Sequence, residues 1–212
     1  MSDGVNGRQA ARRAETEQRI LDAAAELFVR DGYGATTLTA VADAAGVGHR
    51  TVYVRFGTKV ALLRRAVDVA VAGDTDRRSV AEREWVETAL AAATLAERVD
   101  ALVAGSTALL RRAADLFEVA LGVQSAEPEL AEAFAAGRTE TRRLMRRFVG
   151  RLRRDGLVVR PEDRDLRVWQ EETIAMAVQA ETYLLLRRTT GWSARQYAVW
   201  LRRTVTEVLG EP

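Results

Sequence analysis

The sequence predicts an all-α fold, and three features of it carry that prediction. Alanine, leucine, arginine and glutamate dominate a chain of 212 residues that only three prolines interrupt, and these four residues favour helices. Apolar residues recur at intervals of three and four, which is the period of a helix with one buried face. Because 48% of the residues are apolar, the chain can bury a sizeable core.

Composition also restricts the function. The chain has no cysteine and one histidine, His49, so we expect no catalytic Ser-His or Cys-His pair, no metal site and no cofactor. The protein is therefore not expected to be an enzyme. No stretch reaches the roughly 18 apolar residues of a membrane span, and the polar start lacks the apolar core of a signal peptide. We expect a cytoplasmic protein with no membrane partner.

Capping residues and glycines divide the first part of the chain into short helices. The pattern predicts a basic arm over 1–15, loose except towards its end, and an amphipathic helix over 16–30. Three further short helices follow. Thr37 and Thr58 are the expected N-caps of two of them, and Gly46 is expected in a tight turn.

The rest of the chain is predicted to form longer helices after a polar connection. These helices are expected over 85–93, 96–112, 113–124, 128–154, 162–189 and 194–209. Ser193 and Gln196 make a capping box at the start of the last one. An arginine run from Arg138 to Arg154 fits either a second DNA or lipid surface or a solvated face paired with Glu140 and acids of neighbouring helices.

Residues 38–57 have the spacing of a helix-turn-helix. Ala42 is small where the two helices must approach closely, and Gly46 follows where the turn requires a positive φ. Val47 and Val52 are apolar at the positions that close the small core of the motif. A plain hairpin of two helices is the alternative interpretation.

The chemistry of this segment fits DNA. Between Asp43 and Asp68 there is no acidic residue, whereas five basic residues fall there, including Lys59, the only lysine of the chain. The residues at the start of the second helix would lie nearest the base edges. Among them Arg50 can donate two hydrogen bonds to guanine O6 and N7. In the alternative interpretation, His49 and Arg50 are ordinary solvated side chains.

About 50 residues of the chain resemble a known family. Residues 16–65, with I-L-D-A-A-A-E-L-F, G-Y-G-A-T-T-L-T-A-V-A-D-A-A-G-V and T-V-Y-V-R-F-G-T-K-V-A-L-L, look like the N-terminal domain of the TetR family. The resemblance implies a three-helix DNA-binding head over 16–62, joined by a linking helix to a ligand-binding and dimerisation body over 63–212. It also implies DNA contacts from Thr37, Thr39, Gly48, His49, Arg50, Thr51, Tyr53, Arg55 and Lys59.

The last part of the chain, about 45 residues, resembles the final two helices of an actinobacterial-type group in this family. In such proteins these helices pair with their symmetry mates, so a homodimer is expected; an internal core helix is the alternative. The expected interface residues are Tyr183, Leu184, Tyr197, Trp200, Leu201, Val205, Val208 and Leu209. The expected lining of an effector pocket, which ordinary core packing also explains, is Phe117, Leu121, Gln124, Phe134, Trp169, Thr173, Met176 and Tyr183.

Together these features predict a transcriptional regulator. Its simplest form is a repressor that binds a palindromic double-stranded operator as a homodimer and is released by a small-molecule effector. An architectural DNA-binding protein without an effector is one alternative, and a closed apolar cavity in the body would argue against it. A helical enzyme is another alternative, for which the residues offer no catalytic constellation.

Overall fold

The computed structural model describes residues 3–76 and 78–210, and over these ranges it confirms the all-α prediction. The first two residues of the expected arm and the last two of the expected body lie outside the described residues. The described ranges form a 3₁₀ helix (Val80–Glu82) and ten α-helices: α1 (Asp3–Ala35), α2 (Leu38–Ala45), α3 (His49–Phe56), α4 (Lys59–Ala72), α5 (Glu84–Ala91), α6 (Leu95–Val123), α7 (Pro128–Arg154), α8 (Arg164–Ala177), α9 (Ala180–Thr190) and α10 (Ala194–Leu209). Within those ranges no helix is both long enough and apolar enough to cross a membrane.

The chain divides into two compact units. The first comprises Met1–Arg77 together with Asp115–Ala133, and the second comprises Arg78–Ala114 together with Phe134–Pro212. Helix α4 lies wholly in the first unit, as do the end of α6 and the first turns of α7. The head expected over 16–62 lies within the range of the first unit, and its boundaries stay a prediction.

The first unit is built on one face of α1. Ile20, Ala24 and Phe28 have no exposed surface, and they recur every four residues, as the buried face of a helix requires. The other fully buried apolar residues in α2, α3 and α4 are Val41, Ala42, Val52, Leu62 and Leu63. The inward face that the sequence predicted for α1 is therefore confirmed.

Helix α1 extends further than the sequence predicted at both ends. The arm expected to be loose over 1–15 is helical from Asp3, because its many alanines and arginines favour helix and no proline interrupts them. Gly32, with φ at 79°, interrupts the helical geometry near the other end, in a conformation that a Cβ atom disfavours. The helix nevertheless resumes for the few residues up to Ala35.

Among the longer helices, α7 and α10 confirm the predicted boundaries, whereas α6 does not. The boundary expected between residues 112 and 113 is wrong, since α6 is one continuous helix from Leu95 to Val123. No glycine or proline stands at that point, and the local run of arginines and alanines favours helix.

The helix expected over 162–189 is broken after Ala177 into α8 and α9. The Thr182 hydroxyl donates to the carbonyl of Met176, and the Tyr197 hydroxyl donates to the carbonyl of Ala177, both at 2.7 Å. Because a buried carbonyl without a donor costs free energy, the buried contact from Tyr197 stabilises the break, whereas the exposed contact from Thr182 joins the start of α9 to the end of α8. Periodicity did not reveal the break because both donors are side chains from outside α8.

The arginines of α7 mostly face acids on the same or neighbouring helices. The ion pairs are Arg138 with Glu181, Arg142 and Arg146 with Glu172, Arg153 with Glu171, Arg147 with Glu87, and Arg143 with Glu140. The interpretation of this run as a paired face is confirmed for these residues. Since an exposed pair contributes about 0–1 kcal/mol, the exposed pairs contribute little to stability, and those that reach Glu87, Glu172 and Glu181 connect α7 to neighbouring helices.

In the second unit, Trp85 of α5 packs directly on the backbone of α6 at Gly105. A Cβ atom placed on Gly105 would lie 2.2 Å from Cδ2 of the indole ring, which is far inside van der Waals contact. The absence of a side chain at this position is therefore what lets α5 approach α6.

We predict that Gly105→Ala lowers the free energy of unfolding by about 1–3 kcal/mol, because the methyl group overpacks the contact with Trp85. The matched control is Gly122→Ala on the same helix, where nothing lies within 4 Å of the added atom. There alanine should raise stability by about 0.5–1 kcal/mol through its higher helix propensity. Urea unfolding followed by circular dichroism measures both, and equal effects in the two variants would contradict the packing argument.

Candidate nucleic-acid interface

Helices α2 and α3 form the helix-turn-helix that the sequence predicted. The Thr37 hydroxyl accepts a hydrogen bond from the amide of Ala40 and caps α2. Gly46 ends α2 in the left-handed conformation, with φ at 62°. Ala42 and Val52 are fully buried where the two helices meet. The expected roles of these residues in the motif are thus confirmed.

A guanidinium from α1 clamps the turn. Nη2 of Arg19 donates to the carbonyl oxygens of Ala45 and Gly46, two of the acceptors that a helix C-terminus leaves without partners. A Cβ atom on Gly46 would lie 3.0 Å from the same nitrogen. Sequence analysis missed Arg19, because the spacing of charges on α1 does not show which carbonyl a long side chain will reach.

Seven of the nine residues expected to contact DNA are exposed. They are Thr37, Thr39, Gly48, His49, Arg50, Thr51 and Tyr53. Gly48 is the N-cap of α3 and provides no side chain to its first turn. The Arg50 guanidinium makes no hydrogen bond or ion pair with any described residue, so it is available to a ligand.

The other two expected residues, Arg55 and Lys59, are half-buried and already bound to the protein. Nη1 of Arg55 donates to the carbonyl of Arg13 at 2.9 Å. Nζ of Lys59 donates to the carbonyl of Tyr33 at 2.7 Å and lies 4.3 Å from the centroid of its ring. A phosphate contact from either residue stays a prediction. In the structure, both side chains donate to main-chain carbonyls of the protein itself.

Tyr33 itself joins α1 to the turn between α6 and α7. Its hydroxyl donates to Oε1 of Glu127 at 2.6 Å, and its ring stacks on Phe28. Burial, together with the carboxylates of Glu127 and Glu129, raises the pKa of the Tyr33 phenol, so the hydroxyl keeps the proton that it donates. Arg64 of α4 forms an ion pair with Glu129 at 3.5 Å. The sequence carried no signal for these pairs, which lie more than 60 residues apart.

The residues expected to line an effector pocket lie in different environments. Trp169 and Met176 are 51% and 55% exposed, Tyr183 is buried, and the half-buried ones are Phe117, Leu121, Gln124, Phe134 and Thr173. Phe117, Leu121 and Gln124 belong to the first unit and the remaining five to the second. Their role as a pocket lining stays a prediction.

The residues expected at a dimer interface already have partners inside the second unit. All of them except the half-buried Trp200 are buried within the chain: Tyr183, Leu184, Tyr197, Leu201, Val205, Val208 and Leu209. The Tyr183 and Tyr197 rings meet edge to face at 4.8 Å. Because these side chains are already buried within the chain, a dimer could bury little additional area on them. Their role in a dimer interface stays a prediction, and this packing does not favour it.

Comparison with known proteins agrees with the geometry of the head. The sequence pattern of "Bacterial regulatory proteins, tetR family" matches residues 20–66. The HTH-type transcriptional regulator SrpR of Pseudomonas putida is 46% identical over 55 residues, which is 26% of this chain and 26% of that protein.

The similarity in fold extends over nearly the whole chain. A Mesorhizobium loti protein assigned to the TetR-family transcriptional regulators aligns with a TM-score of 0.68 at 17% identity, covering 92% of this chain and 96% of its own. A TetR/AcrR-family transcriptional regulator from Thermobifida fusca aligns with a TM-score of 0.65 at 21% identity, covering 90% and 96%.

Fold and site together define a helix-turn-helix DNA-binding protein. Residues 20–66 have the sequence pattern of the TetR family of bacterial regulatory proteins, and the described chain has the all-α fold of the TetR-family structures with which it aligns.

We predict that Lys59→Gln lowers the free energy of unfolding by about 1–2 kcal/mol without DNA, because it removes a charged donor and a cation–π contact at Tyr33. Arg50→Gln is the matched control, since its side chain is exposed and unpaired among the described residues; it should change stability by less than about 0.5 kcal/mol. Chemical denaturation measures both. An unchanged midpoint for Lys59→Gln would show that the contact contributes nothing.

Proposed function

We propose that this protein is a transcriptional regulator that binds a palindromic operator as a homodimer, acts as a repressor, and is released by a small-molecule effector. The observation that carries this proposal is the exposed Arg50 on α3, which has no hydrogen bond or ion pair to any residue that the structure describes and lies in a stretch without acidic residues from 44 to 67. A cytoplasmic location is part of the proposal, because the protein must reach DNA.

Base recognition in this proposal starts at the first turn of α3. The terminal N–H groups of Arg50 donate hydrogen bonds to guanine O6 and N7, a contact worth about 1–3 kcal/mol of discrimination. The methyl group of Thr51 meets a thymine methyl, and the exposed Tyr53 donates its hydroxyl to a phosphate oxygen. The Arg19 clamp supports this arrangement, since it fixes the turn that aims α3.

The homodimer in this proposal uses the surface that folding leaves open. Helix α8 has two apolar faces: Ile174 and Ala177 are buried inside the unit, whereas Trp169 and Met176 are half-exposed on the other side. Leu166 continues the exposed face at helical spacing. Exposed apolar side chains in a row on one helix are typical of a protein–protein contact, and a palindromic operator requires a two-fold dimer.

Effector release in this proposal passes through the first unit. Tyr33 binds Glu127 in the turn between α6 and α7, and Arg64 binds Glu129 in the first turn of α7. Lys59, the first residue of α4, donates to the carbonyl of Tyr33. A ligand that prefers one position of this turn shifts the equilibrium between arrangements of α4. Its free-energy effect on DNA binding cannot exceed its difference in binding free energy for the two arrangements.

The experiment is selection from random duplexes with the full chain, followed by fluorescence polarisation on the selected DNA for the wild type and Arg50→Ala. We expect a palindromic consensus, and Arg50→Ala should lose about tenfold or more in discrimination at one symmetric pair of positions. If the selected DNA has no consensus and its affinity depends only on salt concentration, through counterion release, the proposed operator binding is wrong and an architectural role replaces it. Absence of binding to every duplex would refute DNA binding altogether.

A further inference from the structure

The only histidine of the chain is bound to a carboxylate across the helix-turn-helix. Nε2 of His49, the first residue of α3, lies 2.7 Å from Oδ1 of Asp43 on α2. The two side chains are 52% and 68% exposed. The contact therefore lies on the surface of the motif, beside the arginine that is proposed to bind guanine.

The backbone of the turn sets the distance between these two residues. The amide of Gly46 donates to the carbonyl of Asp43 at 3.1 Å, and the amide of Val47 donates to the carbonyl of Ala42 at 3.0 Å. The Arg19 guanidinium binds the carbonyls of Ala45 and Gly46. With the main chain held from both sides, the carboxylate and the imidazole remain within reach of each other.

This contact determines which ring nitrogen carries the proton. An ionised carboxylate only accepts hydrogen bonds, so Nε2 of His49 must be the donor towards Asp43. In the neutral ring, Nδ1 is then an acceptor. Without the carboxylate, either ring nitrogen can carry the proton, and the ring can turn either nitrogen outward.

We propose that Asp43 is a specificity-determining residue of the DNA interface, because it fixes the tautomer and the direction of the His49 ring; this inference rests on the DNA-binding function proposed above. The acceptor on Nδ1 of the neutral His49 ring suits an exocyclic amino group, N4 of cytosine or N6 of adenine. Guanine O6 and thymine O4 are acceptors as well and cannot pair with it.

Asp43 has a second effect, of opposite sign, on affinity. Its negative charge lies on the surface that faces a polyanion and weakens binding to every duplex alike. Removal of the carboxylate should therefore raise sequence-independent affinity while it lowers discrimination at one base pair. A residue that only stabilised the fold would lower both together.

The test repeats the selection with the full-length wild type, Asp43→Ala, His49→Ala and the double variant, after circular dichroism has confirmed folding. Asp43→Ala should lose roughly fivefold in discrimination between bases at one symmetric pair of positions, because one hydrogen bond to a base is lost. It should gain roughly threefold in affinity for random duplexes at low salt, the effect of one exposed charge. In the His49→Ala background, Asp43→Ala should keep the gain and change the consensus no further.

Glu15→Ala is the control for charge, because Glu15 is an exposed acid of α1 in the same unit; it should leave the consensus unchanged. Asp43→Asn is a second variant that keeps the shape of the side chain, and since an amide both donates and accepts, it should also relax the consensus. If Asp43→Ala and Asp43→Asn both select the same consensus as the wild type, the inference is overturned and the proposed function is not. A wild type without any consensus would overturn the proposed function and the inference with it.

Discussion

Tyr33 holds three elements of the first unit with three chemically different contacts. Its carbonyl accepts a hydrogen bond from Lys59 at the start of α4, its ring stacks on Phe28 of α1, and its hydroxyl donates to Glu127 before α7. The residue lies directly after Gly32, where α1 departs from helical geometry. Without that departure, Tyr33 would continue the regular spacing of α1. The local backbone conformation thus positions the contacts on which the unit's architecture depends.

This arrangement has a consequence for the proposed regulation. The same lysine that the family resemblance assigns to phosphate contact is bound to α1 in the absence of DNA. In the proposed regulation, a change at the turn between α6 and α7 reaches the first residue of α4 through Tyr33, and it reaches Arg64 of the same helix through the ion pair with Glu129. Packed elements with two discrete arrangements carry such coupling, and a hydrogen bond between a neutral donor and a charged acceptor is strong enough to bias them.

The sequence was sufficient for the features that depend on local chemistry. The caps at Thr37, Thr58 and Ser193 and the turn at Gly46 are confirmed, because each requires one residue type at one position. The features that depend on distant partners were not predictable. Arg19 reaches the end of α2, and the break after Ala177 depends on the Tyr197 hydroxyl; no spacing along the chain encodes these partners. Asp43 and His49 are near each other in sequence, but the conformation of the turn between them decides that they meet.

A double-mutant cycle on Tyr33→Phe and Glu127→Ala tests the role of Tyr33 most directly. Urea unfolding of the wild type, both single variants and the double variant gives the coupling free energy between the two side chains. A hydrogen bond from the phenol to the carboxylate predicts a coupling of about 1–2 kcal/mol. Additive effects of the two substitutions, with a coupling indistinguishable from zero, would contradict the account: the tyrosine would then not tie α1 to the turn before α7.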